Sequence, residues 1–219
     1  IETPLHSFAW RFDAQRTLRL VTTHENHRAT VLLRQPEGAW KKIAEYEELG
    51  PGWMNPAHVG PDGTLYVEAP HQGRSALFTL DPATGRLSAQ PLAASPRFDL
   101  HPQFISNDRA LLGLRYLIDA EVTQWLDADM KALQAAIDER LPATANRLSV
   151  PQRGDAPWVL VEAQADVRPY TAYLYHRGTK KLTALGSSHP RIDSRAMGRN
   201  DLASVRARGR RGTSARRSA

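Results

Sequence analysis

The chain has 219 residues, no cysteine and a formal net charge of +6. Without cysteine it can form neither disulfides nor thiolate metal sites, and its 41% hydrophobic and 24% charged residues are typical of a globular protein. No window approaches the ~18 consecutive apolar residues of a membrane span, so we expect no membrane partner. Composition leaves the compartment open between cytoplasm and periplasm.

The positive charge is concentrated at the C-terminal end. Residues 191–219 contain nine arginines and two aspartates, a net charge of +7, so residues 1–190 carry −1. A polycation without aromatic side chains binds phosphates non-specifically and buries little apolar area. We therefore predict that 191–219 is an Arg-rich disordered tail without specific nucleic-acid recognition. A sequence rich in Arg, Gly, Ala and Ser is also typical of GC-rich DNA translated in a shifted reading frame. Whether the tail is native or frame-shifted stays open.

Residues 1–190 are predicted to form four repeated β units, at about 6–48, 49–95, 96–145 and 146–190. One strand of each unit follows a polar turn cluster, and equivalent positions in it are separated by 46, 46 and 48 residues. These positions are Leu20, Tyr66, Leu112 and Leu160. A period in the forties with about four strands per unit is typical of β-propeller blades. The sequence therefore predicts an all-β fold, a partial β-propeller of about four four-stranded blades.

The third unit contains a different pattern. Four apolar residues recur at helical spacing after Asp127, and Pro142 follows them: Met130, Leu133, Ile137 and Leu141. This spacing predicts one short helix at about 128–140, which replaces or decorates the outer edge of that blade. Its apolar stripe is expected to pack against the protein.

The segment from Trp125 to Asp193 resembles a known arrangement. Its elements are Trp125-Leu126-Asp127, the helix, Leu141-Pro142, Asn146, Trp158-Val159-Leu160-Val161, Asp166, Arg168-Pro169-Tyr170, Tyr173-Leu174-Tyr175 and Leu182-Thr183-Ala184-Leu185. Together they resemble the last propeller blade of prolyl-oligopeptidase-family serine peptidases, of the acylaminoacyl-peptidase and dipeptidyl-peptidase-like kind. The resemblance implies peptide substrates and an α/β-hydrolase domain in the parent chain, behind a propeller that admits peptides and excludes folded proteins.

The chain carries no recognisable catalytic machinery of that family. No G-x-S-x-G motif occurs, and the nearest string, residues 212–216, lacks the second glycine. We therefore predict no catalytic residue here, and the resemblance implies a truncated, non-catalytic propeller portion whose open blade edges favour self-association. Three alternatives stay open: a stand-alone propeller scaffold for protein partners, an enzyme whose residues converge on the axis, and nucleic-acid binding through the tail.

Candidate binding residues follow from position in the repeat. Arg11, His58 and His101 lie on or beside inner strands, and we predict that they face the axial tunnel and bind peptide. Arg11 is suited to a bidentate contact with a carboxylate. His24-x-x-His27 is interpreted as a solvated hairpin turn, because a metal site needs three or four converging ligands, and we predict no metal or cofactor. The five tryptophans are expected to pack between blades.

Overall fold

The computed structural model describes residues 4–48, 50–198, 200–205 and 213–218. The chain divides into two compact units. Unit 1 comprises Ile1–Asp127 with Gln152–Gly154, and unit 2 comprises Ala128–Pro151 with Asp155–Ala219. Within the described ranges, no helix is both long and apolar enough to span a bilayer.

Unit 1 contains three antiparallel sheets in which each strand pairs with its neighbour in sequence. Hairpin turns with left-handed backbone set this order. One example is Asn26 (φ 49) with His27 (φ 61), since two such residues match the twist of the flanking strands. The strands are β1 (Ser7–Phe12), β2 (Leu18–Glu25), β3 (Arg28–Arg34) and β4 (Trp40–Glu47); β5 (Asn55–Val59), β6 (Leu65–His71), β7 (Arg74–Asp81) and β8 (Arg86–Leu87); and β9 (Gln103–Ser106), β10 (Leu111–Leu117) and β11 (Glu121–Trp125).

The second sheet of unit 1 is covered on both faces. Leu20 and Val31 of the first sheet join Val67 and other residues of the second sheet in one buried cluster. Leu77 on the second sheet joins Leu114 of the third in another. Two-sided cover explains why all five residues at 65–69 are buried. Stacking of this kind is what a single blade requires, because it cannot cover both of its faces alone.

The third sheet has three strands, and the helix predicted to replace or decorate the outer edge of that blade follows them directly. The amides of Leu126 and Asp127 both donate to the carbonyl of Leu112, at 2.9 and 3.1 Å. These bonds anchor the chain to β10 directly after β11. Helix α1 (Ala128–Arg140) then begins, so the segment that would form a fourth strand is helical.

Unit 2 begins with α1, whose bounds confirm the predicted helix. Met130 and Ile137 are its buried residues. Gln134 Nε2 donates to the carbonyl of Asn146 at 2.9 Å, and Asn146 Nδ2 donates to Asp138 Oδ1 at 2.9 Å. These bonds fix the helix to the first strand of the sheet that follows, which consists of β12 (Ala145–Ser149), β13 (Trp158–Ala165), β14 (Arg168–His176) and β15 (Lys181–Ser187).

The fold class is confirmed as a partial β-propeller. Three of its four main sheets have four antiparallel strands in sequence order, and one helix is present among the described residues. The recurring positions Leu20, Tyr66, Leu112 and Leu160 all lie on the second strand of their sheet.

The described part of the Arg-rich tail contains short elements that the sequence did not predict. They are a 3₁₀ turn at Ser194–Ala196 and a strand pair, β16 (Asn200–Val205) with β17 (Thr213–Ser218). Positions 206–212 lie outside the described residues. Disorder of the tail as a whole and the blade boundaries therefore stay predictions.

Candidate functional site

A cleft of about 510 Å³ lies in unit 1, where the turns after the inner strands converge. All four turn clusters that the repeat pattern singled out contribute to it. The first gives Asp13, Ala14 and Arg16, the second Pro61, the third Ser106 and the fourth Gln152. The remaining lining residues are Phe12, His58 and Val59. Equivalent positions of successive repeats thus form one site, which we call the turn cleft.

Side-chain acceptors hold these turns in place. Asp13 Oδ1 accepts from the amides of residues 15 and 17 at 3.0 and 2.8 Å. Asp62 accepts from the amide and hydroxyl of Thr64 at 3.0 and 2.8 Å, and these bonds hold the pKa of the Asp62 carboxyl below its ordinary value. Asn107 Oδ1 accepts from two amides at 2.8 and 2.9 Å. Short polar side chains that bond the backbone two to four residues ahead rigidify the cleft walls.

The fourth turn is bonded directly to the third. The amide of Asp108 donates to the carbonyl of Gln152 at 2.8 Å, and the amide of Gly154 donates to Asp108 Oδ1 at 2.8 Å. A Cβ at Gly154 would lie 2.9 Å from the Cδ of Arg109 and 3.0 Å from the Nδ2 of Asn107. The close approach therefore depends on glycine at this position.

His58 lies in the wall of the turn cleft. Its ring stacks on Phe104 with centroids 4.5 Å apart, and it lies 6.1 Å from the ring of Tyr66. Burial, and secondarily the charge of Arg11, lowers the pKa of His58 below its ordinary value. Its Nε2 is buried, and no described residue forms a hydrogen bond with it. Because its pKa is lowered, His58 is a neutral ring near neutral pH.

Arg11 lies on β1, whose neighbour across the sheet stack is β5. Its Nη1 donates to the carbonyl of Trp10 at 3.1 Å, and its Nε is buried with no partner in the described ranges. A guanidinium has five N–H donors, so Arg11 retains capacity for an anionic ligand. Arg11 is close enough to His58 to lower its pKa, but it is not among the residues that line the turn cleft.

The third predicted residue, His101, is placed elsewhere. Its Nδ1 lies 3.0 Å from Glu68 Oε2, and Asn55 Nδ2 donates to the same oxygen at 3.4 Å. Asn55 begins β5, whereas Val59, at the turn cleft, ends it. The structure therefore brings Arg11 and His58 together and places His101 at the opposite end of the inner strand. Sequence reasoning missed Glu68, which is almost fully buried at 7% exposure.

The His24-x-x-His27 pair lies at the hairpin between β2 and β3. His24 Nδ1 forms a 2.7 Å contact with Glu48, and its ring stacks on Phe8 at 4.5 Å. Over the ranges that the structure describes, no three His, Asp or Glu side chains gather into a group able to hold a metal. Of the tryptophans, Trp10 and Trp158 are 43% and 44% exposed, so their packing is only partial.

Comparison with known proteins gives a fold relationship. No protein-family model and no curated protein matches the chain. Two crystal structures of a puromycin hydrolase, one of them a mutant complexed with PGG, align with 94% of this chain at 16% identity, with TM-scores of 0.54 and 0.53. The chain spans 32% of the length of that hydrolase. The crystal structure of TolB from Acinetobacter baumannii aligns at 13% identity over 97% of this chain and 51% of the TolB chain, with a TM-score of only 0.42. The chain is thus similar in fold to a portion of puromycin hydrolase about one third of its length.

Proposed function

We propose that this chain is the non-catalytic propeller portion of a prolyl-oligopeptidase-like serine peptidase. In this role it admits peptides and positions them for a hydrolase domain that lies outside the chain. The observation that carries the proposal is the alignment of 94% of the chain with only 32% of a hydrolase. The resemblance of residues 125–193 to the last blade of that peptidase family supports it independently.

The turn cleft supplies the peptide-binding chemistry of this proposal. Arg11, which lies near His58 but does not line the cleft, provides a cation with unused donors, and His58 provides a neutral ring in the cleft wall. A peptide C-terminal carboxylate accepts charge-assisted hydrogen bonds from a guanidinium, and it accepts from His58 in the tautomer that carries the proton on Nε2. The stacked ring pair of His58 and Phe104 offers an apolar surface beside it. His101 with Glu68 forms a separate polar pair at the other end of the inner strand.

A pair of labelled tripeptides tests this site. One carries a free C-terminal carboxylate and the other a C-terminal amide, and fluorescence anisotropy measures the affinity of the full 219-residue chain for each. We expect the carboxylate form to bind more tightly and Arg11→Gln to weaken it by about tenfold, since one charge-assisted hydrogen bond contributes roughly 1.5 kcal/mol. Arg28→Gln is the matched control, because Arg28 pairs with Glu45 on an exposed outer strand.

Two results would contradict the proposal. Equal affinity for carboxylate and amide peptides, unchanged by Arg11→Gln, would remove Arg11 from the site. Hydrolysis of either peptide by the chain alone would favour an enzyme built on the propeller itself.

A stand-alone interaction scaffold is the second candidate function. One face of β1 exposes Phe8, Trp10 and Phe12, at 68%, 43% and 53%. Contiguous exposed aromatic side chains are characteristic of protein interaction surfaces. Sedimentation velocity at rising concentration distinguishes the candidates. A monodisperse monomer favours the scaffold, whereas self-association is expected of a blade array with open edges.

A further inference from the structure

A groove of about 430 Å³ lies within unit 2, between α1 and the turn that joins β14 to β15. One wall is a single helix face, formed by Asp129, Ala132, Leu133, Ala136 and Arg140. The other wall consists of Tyr175, Arg177 and Lys180. We call it the helix groove, and it is separate from the turn cleft of unit 1.

Three of the four charged residues in the helix groove are cationic. Arg140, Arg177 and Lys180 face one carboxylate, that of Asp129. None of these three cations forms an ion pair with Asp129 within the part of the chain that the structure describes. The groove therefore presents a local positive potential that attracts anions from solution.

Arg177 has hydrogen-bonding capacity that the protein leaves unused. Its Nη2 contacts the thioether sulfur of Met130 at 3.1 Å, and its Nε is buried without a partner among the residues that the structure describes. A thioether is a weak acceptor for a guanidinium, so the Nη groups of Arg177 keep donors that an anionic ligand in the groove can engage. The amide of Arg177 donates to the carbonyl of Pro157 at 2.7 Å, so the backbone that carries this side chain is held in place.

The remaining lining is suited to an apolar body beside an anionic head group. Arg140 donates to the carbonyl of Lys180 and lies 5.9 Å over the ring of Tyr175. This arrangement leaves the methyl groups of Ala132 and Ala136 and the side chain of Leu133 as the apolar floor. The cations of the β14–β15 turn and the apolar side chains of the helix face together suit an amphipathic anion.

We propose that the helix groove binds an organic carboxylate, with its carboxylate at Arg177 and Lys180 and its aryl or alkyl body along Ala132, Leu133 and Ala136. The site lies wholly in unit 2 and does not depend on the peptide-binding function proposed for unit 1.

The test is an amide-detected NMR titration of the full chain with 3-phenylpropionate. The neutral analogue 3-phenylpropan-1-ol and inorganic phosphate are titrated in parallel. Saturable shifts from the acid are expected in α1 and the β14–β15 turn, with much weaker binding of the alcohol. Arg177→Gln should weaken the acid by about tenfold, and Lys180→Gln by a few-fold. Lys131→Gln, on the same helix but outside the groove, should leave the affinity unchanged.

Several outcomes would overturn the proposal. Equal affinity for acid and alcohol would reduce the groove to an apolar surface, and tighter binding of phosphate would replace the carboxylate with a phosphate ligand. Shifts confined to the turn cleft would assign the acid to unit 1. If Arg177→Gln unfolds unit 2, Lys180→Gln still decides, because unchanged affinity in that variant contradicts the assigned position of the carboxylate.

Discussion

Replacement of Leu114 by alanine tests whether the second and third sheets share one core. Leu114 lies on β10 with no exposed surface, in the same buried cluster as Leu77 of β7. Leu→Ala at fully buried sites costs about 3–5 kcal/mol, from lost transfer free energy and the cavity left behind. Leu117, on the same strand, is 64% exposed, and its replacement by alanine should change the free energy of unfolding by less than about 0.5 kcal/mol.

Urea denaturation followed by tryptophan fluorescence measures both variants. Four of the five tryptophans belong to unit 1, so the signal reports mainly on that unit: Trp10, Trp40, Trp53 and Trp125. With a urea dependence of about 2 kcal/mol per molar, Leu114→Ala should lower the unfolding midpoint by about 2 M. Leu117→Ala should leave the midpoint within about 0.3 M of the parent chain.

A double-mutant cycle separates contact between the sheets from burial alone. If Leu77 and Leu114 pack against each other, the double alanine variant should deviate from additivity by about 0.5 kcal/mol or more. Additive costs would show that the two residues are buried independently. Equal costs for Leu114→Ala and Leu117→Ala would refute the stacking argument itself.

Three further predictions concern backbone space and pH. Gly113→Ala should destabilise unit 1 by about 1–3 kcal/mol and perturb Trp125 fluorescence, because the new Cβ would lie 2.8 Å from that ring; an unchanged melting curve would contradict this. Because the pKa of His58 in the folded chain lies below its ordinary value of 6.5, the free energy of unfolding should fall as the pH drops below 6.5. His58→Phe should reduce that fall in urea unfolding measured at several pH values. An identical pH profile in the variant would count against it. The pKa of the Asp62 carboxyl is lowered, so its contribution to stability is complete above pH 3.8 and is lost as the pH falls through the lower pKa of the folded state. Asp62→Asn should therefore reduce the fall in melting temperature at acidic pH. A steeper fall in the variant would contradict this.

Local sequence was sufficient to predict those elements whose structure depends on residues close together in the chain. The helix at 128–140 follows from apolar spacing and from Pro142, and both act within one turn of the affected backbone. The repeat period located the second strand of each blade, since repeated units place equivalent residues at equivalent positions of their sheets. Sequence spacing did not reveal that the amides of Leu126 and Asp127 both bond to the carbonyl of Leu112, because that contact joins residues about 14 positions apart.

The candidate site was predictable only in part, because it depends on contacts between residues far apart in sequence. Position in the repeat selected Arg11 and His58, which adjacent inner strands bring near each other. The pairing of His101 with Glu68 joins residues 33 positions apart and depends on how one blade packs on the next. The repeated turns did carry a usable signal, because equivalent turns that follow equivalent strands must emerge at the same end of those strands.

The bonds of Gln152–Gly154 to the third turn constrain the order in which the two units can fold during synthesis. In sequence, unit 1 is interrupted by α1 and β12 of unit 2. Residues Gln152–Gly154 then belong to unit 1 again, where they bond to its third turn. During synthesis, therefore, unit 1 cannot complete its native contacts when Asp127 leaves the ribosome. It must wait for 27 further residues, by which time α1 and β12 have already emerged. Maturation of the two units is thereby interleaved on the nascent chain, although each has its own set of strands.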